Sequence, residues 1–188
     1  MMLSSILPEK QFGLDDVIHM SGSKKGKSVW PAKMLVEMRK LGIDVVMIEG
    51  FNARRFVAEG ADYLRDEFAG ETAEWQIANS DIPKEQRNYV ELLASGVKIE
   101  KRIPTTSDIC SLLDAGWLVK CTVNSRRLKK LDGYVGHSVV VLSVDKDEII
   151  LHNPGLPPEP FQHVSIADFE AAWAYPNEAA KELIAARK

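Results

Sequence analysis

Apolar residues recur at helical spacing through the first half of this chain and gather into short β-branched runs in the second half. Residues 1–7 are apolar from the first position onward. A free terminus is usually polar, so this stretch predicts the end of a helix already under way. Residues 14–20 predict a short helix, and residues 21–28 a flexible polar loop. Pro31 suits a first helical turn, and Ala32, Leu35, Val36, Met38 and Leu41 follow at spacings of three and four until Gly42 stops the pattern. Residues 45–48 read as a strand. Asn52 is placed to cap a helix reaching Phe68, with Phe56, Val57, Leu64 and Phe68 as its buried stripe. A polar segment around Asn79, Ser80 and Asp81 leads into Pro83 and a helix carrying Tyr89, Leu92 and Leu93, ended by Gly96.

From Val97 the period changes to two. Val97 and Ile99 alternate with Lys98 and Glu100, as in a strand with one wet face. Thr106 or Ser107 is placed to cap a helix with Ile109, Leu112 and Leu113 inward, closed by Gly116. Residues 117–123 read as a strand and residues 126–130 as a basic loop. Two apolar runs, 137–144 and 149–153, flank the acidic turn Asp145-Lys146-Asp147-Glu148 and predict an antiparallel hairpin. Leu156-Pro157-Pro158-Glu159-Pro160 predicts a stiff extended loop, since each proline fixes its own φ and restricts the residue before it. Val164 closes a short edge strand, Ser165 with Asp168 resembles a capping box, and Phe169 and Trp173 form an inner face. Asn177 is placed to cap a last helix. Helices first, then mostly consecutive strands, predict an α+β fold with N-terminal helices packed on a largely antiparallel sheet, as a single domain over residues 1–188.

Composition narrows the function classes. The chain is 45% hydrophobic and 27% charged with a formal net charge of −3, without the basic excess of a nucleic-acid binder. The short basic runs 24–27 and 126–130 read as solvated faces, and the first does not match the two-glycine spacing of a phosphate loop. No apolar run approaches the ~20 residues of a membrane span. With two cysteines and no signal peptide, the expectation is a cytoplasmic protein with reduced thiols.

The candidate chemistry lies at the mouth of the predicted hairpin. Gly133-Tyr134-Val135-Gly136 delivers His137 to the start of one strand, and Asn153-Pro154-Gly155 ends the next, so antiparallel pairing brings His137 and Asn153 together. A histidine beside an amide is how a general base is held in one tautomer and aimed. Each residue also has a plain reading: a satisfied histidine at a strand end, and an asparagine bonded to its own turn. His152 adjoins Asn153 and so faces the other side of the sheet. His19 and His163 lack metal-ligand spacing, so neither a metal nor a cofactor is expected. Cys110 and Cys121 sit inside apolar patterns and read as small buried hydrophobes, because a nucleophilic thiol wants a helix N-terminus or a cationic neighbour.

The combination Gly136-His137-Ser138-Val139-Val140-Val141, an acidic turn, then His152-Asn153-Pro154-Gly155 resembles the C-terminal half of the C39-like branch of papain-like cysteine peptidases. The helix, Gly42 and strand over residues 31–48 are similar to that family's link from nucleophile helix to sheet, and residues 164–173 resemble its closing helix. The resemblance spans roughly residues 1–175. It implies a papain-like fold, a general base at His137, an orienting Asn153, and a peptide or protein segment as substrate or ligand, with no cofactor. The family's nucleophilic cysteine begins its first long helix, preceded by an oxyanion-hole glutamine, and neither residue occurs here. The expectation is therefore a peptidase or thiol acyltransferase homologue whose chain starts at an internal methionine or has degenerated. The alternative is a non-catalytic peptide-binding module that keeps the cleft.

Overall fold

The computed structural model describes residues 2–68, 70–155 and 157–188. It is an α+β protein with ten helices and a seven-stranded, mostly antiparallel sheet among those residues. None of the described helices is long and apolar enough to cross a membrane. The chain divides into two compact units: residues 1–45, 52–98 and 188, and residues 46–51 and 99–187.

The first unit is helical: α1 (Met2–Ile6), α2 (Leu14–Ser21), α3 (Pro31–Lys40), α4 (Ala53–Glu59), α5 (Ala61–Phe68), α6 (Gly70–Asn79) and α7 (Ile82–Ala94). Leu3, Ile6 and Leu7 are buried, so the apolar start is a packed helix, although Met1 lies outside the described residues. α3 and α4 pack against α7 around an aromatic group in which Phe56 stacks on Trp30 at 5.2 Å and meets Tyr89 edge-on at 5.3 Å. Asn52 caps α4 by accepting the Arg55 N–H. The single helix expected from Asn52 to Phe68 is two, broken at Gly60, whose φ of 58° and ψ of −119° leave the helical region. Phe56 and Leu64 of the expected stripe are buried and Tyr63 joins them, while Val57 and Phe68 are only partly buried. α6 went unread because it buries Ala73 and offers no apolar stripe.

The second unit carries the sheet, in the order β2-β1-β7-β3-β4-β5-β6: β1 (Asp44–Glu49), β2 (Lys98–Lys101), β3 (Leu118–Asn124), β4 (Gly136–Val144), β5 (Glu148–Asn153), β6 (Glu159–Ser165) and β7 (Glu182–Arg187). Its helices are α8 (Thr106–Asp114), α9 (Ser125–Leu128) and α10 (Ile166–Trp173). Val119, Cys121 and Val123 of β3, Val139 and Val141 of β4, and Ile149 and Leu151 of β5 share one sheet face with Ile109 of α8 and Phe169 and Trp173 of α10. α8 is capped one residue earlier than expected, by Thr105, whose hydroxyl accepts the Asp108 N–H while Asp108 accepts the Thr105 N–H. The basic stretch after β3 begins as the short helix α9.

The largest departure is at the C-terminus. Asn177 caps only a 3₁₀ turn, Glu178–Ala180, and the chain then enters β7 between β1 and β3. Leu183, Ile184, Ala185 and Ala186 are all buried. Leucine, alanine, glutamate and lysine favour a helix locally, but a central strand needs apolar residues on both faces, and that tertiary demand outweighs a weak propensity.

Candidate functional site

Three neighbouring strands build the site. In the β3–β4 ladder Cys121 faces Val139 and Val123 faces His137. His137 therefore lies on the face of the valines that form the core. In the β4–β5 ladder Val140 faces His152, which places Asn153 and His137 two positions apart on the same face. Such diagonal neighbours lie within reach of long side chains. The His137 Nε2 and the Asn153 Oδ1 are 2.7 Å apart. Pairing thus brings together the two residues that the sequence singles out.

The hydrogen bonds around Asn153 fix which way each group points. The Gly155 N–H can only donate, and it meets the Asn153 side chain at 3.1 Å, so the atom there is the carbonyl Oδ1. The opposite end, Nδ2, donates to Gln162 Oε1 at 3.0 Å. Facing a carbonyl, a neutral His137 carries its proton on Nε2 and leaves the Nδ1 lone pair free to accept one. Asn153 is 5% exposed, so this arrangement sits in a sheltered place, while His137 is half-buried.

The approach to His137 is held by a residue that sequence reasoning missed. Asn124, the last residue of β3, is 1% exposed. Its Nδ2 donates to the Gly133 carbonyl at 2.9 Å, and its Oδ1 accepts the N–H groups of Arg126 and Val135, each at 3.1 Å. Gly133 has a φ of 94°, which suits glycine. Tyr134 in the same loop stacks on Tyr175 at 5.8 Å. The available signal was an asparagine between an apolar strand and a helical turn, a capping signature. Gln162 gave no signal, since a polar residue on an edge strand reads as solvated.

Of the other candidates, Cys121 shares the sheet face of the pair, diagonal to His137 across the β3–β4 ladder. His152 projects to the opposite face, as its alternation with Leu151 and Asn153 requires. His163 meets Glu148 across β5 and β6 at 3.1 Å. His19 belongs to α2 of the first unit. Among the described residues no group of three His, Cys, Asp or Glu side chains is arranged to hold a metal ion. Cys121 is fully buried, and burial pushes its thiol far above the ordinary range. Cys110, expected to be buried, is partly exposed on the flank of α8 beside the inward Ile109. In native protein Cys110 should alkylate and Cys121 should react only after denaturation, as mass spectrometry of the labelled peptides would show. His137→Ala should leave the Cys110 rate unchanged; slowing would mean that the imidazole activates this thiol.

The chain matches no protein-family model and no curated protein.

Proposed function

We propose that this chain is a papain-like, C39-type cysteine peptidase or thiol acyltransferase homologue in which His137 is the general base and Asn153 its orienting partner. The observation that supports this reading most is the His137–Asn153 bond, made through Nε2 to a carbonyl whose polarity the Gly155 N–H sets. Nδ1 then takes the proton from a thiol, the thiolate attacks an acyl carbon, and the same nitrogen returns the proton to the leaving amine. Asn153 contributes by stabilising the imidazolium formed between these transfers. The thiol served is not Cys121, which is sealed in the core, and Cys110 sits on the flank of α8 without a hydrogen bond to His137. A cysteine outside these 188 residues would have to supply it.

Activity of a chain extended before Met1 is the test. A longer chain carrying an in-frame cysteine there should cleave peptide substrates in a thiol-dependent way and lose this with His137→Ala. Activity that survives His137→Ala would overturn the assignment of the base. A second reading, a peptide-binding module without catalysis, draws support from β6. This strand forms a sheet edge exposed at Pro160, Phe161, His163 and Ser165, a place where an extended peptide can add as a further strand. An upstream sequence without cysteine, together with peptide binding that Phe161→Ala weakens, would favour that reading.

A further inference from the structure

We infer that Gln162 is a positioning residue for the His137–Asn153 pair, an inference that rests on the base–orienter reading of the site. Asn153 is nearly buried, so its NH₂ group has little access to water and depends on a protein acceptor. That acceptor is Gln162 Oε1, at 3.0 Å. The strand geometry brings the two together. Leu151 pairs with Gln162, but Asn153 pairs with Glu159, so three steps along β6 oppose two along β5. Phe161, within this bulge, has a φ of 60°, a left-handed conformation that phenylalanine rarely adopts, and its side chain is 69% exposed. Bulges beside functional sites commonly re-aim a side chain. Here the bulge leaves Gln162 as the last regularly paired residue before Asn153, on the same face.

The division of labour follows from donor and acceptor chemistry. The Gly155 N–H decides which end of the Asn153 amide faces His137. Gln162 holds the other end, so that the amide does not rotate away in search of a partner. Acceptance by Gln162, rather than its volume, is then what keeps the proton on His137 Nε2 and the lone pair on Nδ1.

Three variants separate acceptance from space-filling: Gln162→Glu keeps an acceptor, Gln162→Met keeps length without one, and Gln162→Lys offers only donors. The readout is the His137 ring in ¹⁵N-labelled protein, recorded by long-range ¹H–¹⁵N NMR with the ring neutral. Wild type and Gln162→Glu should show a protected proton on Nε2. In Gln162→Met that proton should exchange about tenfold faster, the loss of one ordinary hydrogen bond. In Gln162→Lys the Asn153 amide should reverse and the proton move to Nδ1. A role in packing alone predicts that Glu and Met, both close to glutamine in size, match wild type equally, and that result would overturn the inference. If Gln162→Lys fails to fold, the Glu and Met pair decides. Loss of the Nε2 proton in Asn153→Ala but not in Gln162→Met would remove the role of Gln162 and leave the pair intact. A wild-type ring without a protected Nε2 proton would instead remove the pair itself.

Discussion

Asn124→Ala should destabilise the protein by about 2–4 kcal/mol and loosen the loop that delivers His137. The substitution leaves three backbone groups without their partner: the Gly133 carbonyl and the N–H groups of Arg126 and Val135. Each such orphan costs about 1–3 kcal/mol when buried, and less in exposed residues such as these three. The three penalties do not add in full, because the loop can open and let water reach them. Part of the effect therefore shows as local opening ahead of global unfolding. Denaturant unfolding gives the global change, and hydrogen exchange at Val135 and at the start of β4 gives the local one. Asn124→Asp retains the acceptor but loses the donor to Gly133, so it should fall between alanine and wild type. An alanine variant with unchanged stability and unchanged protection at Val135 would remove Asn124 from the support of the site.

Glu49→Gln should make stability less dependent on pH and should stabilise the protein above mildly acidic conditions. Glu49 ends β1, is 4% exposed, and its Oε1 has no hydrogen-bond partner. Burial pushes its carboxyl well above the ordinary 4.5; the charge of Glu182 adds to the rise and Lys120 opposes it. Lys120 is committed elsewhere, paired with Glu182, which also accepts from the Thr122 hydroxyl at 2.8 Å. Below 4.5 both folded and unfolded chains hold the proton, so Glu49 imposes no pH dependence there. Above it the unfolded chain ionises while folded Glu49 stays neutral. The unfolded state then binds fewer protons, and stability falls by about 1.4 kcal/mol per pH unit until the folded carboxyl ionises too. Glutamine removes that slope. Urea midpoints for both proteins between pH 4 and pH 8 should coincide at the acid end and separate upward. Parallel curves would show that Glu49 is charged in the folded state.

Much of the site was legible because its two principal residues lie close in sequence on one hairpin. A turn of fixed length sets the register, and the register sets which residues share a face. Alternation alone turns His152 away from Asn153, but the extra residue at the bulge between Val141 and Ser143 is what puts His137 on the Asn153 face. The local reading was less successful where a feature depends on its partners. Gly60 could be seen as a glycine, but not as the point where α4 ends and α5 starts. Gln162 acquires its place from a bulge that no residue spacing encodes. Cys110 and Ile109 are adjacent on α8, and a one-residue turn of the helix decides that the isoleucine is buried and the cysteine is not.

The sequence by itself determined the α+β class, the hairpin and the capping of α4 and α10, since each rests on contacts within a few tens of residues; the histidine–asparagine pair also needed the bulge between Val141 and Ser143. Tertiary structure decided the rest. Residues 182–187 have the composition of a helix end, yet they form the strand between β1 and β3, because that gap in the sheet must be filled by apolar residues that pair on both sides. Asn124 likewise has no role within β3; it acquires one when pairing sets it opposite Gly136, where its amide can hold the loop that leads to His137. Local patterns specify elements and their faces, whereas a polar group's partners, and a strand's neighbours, are set only once distant parts of the chain have packed.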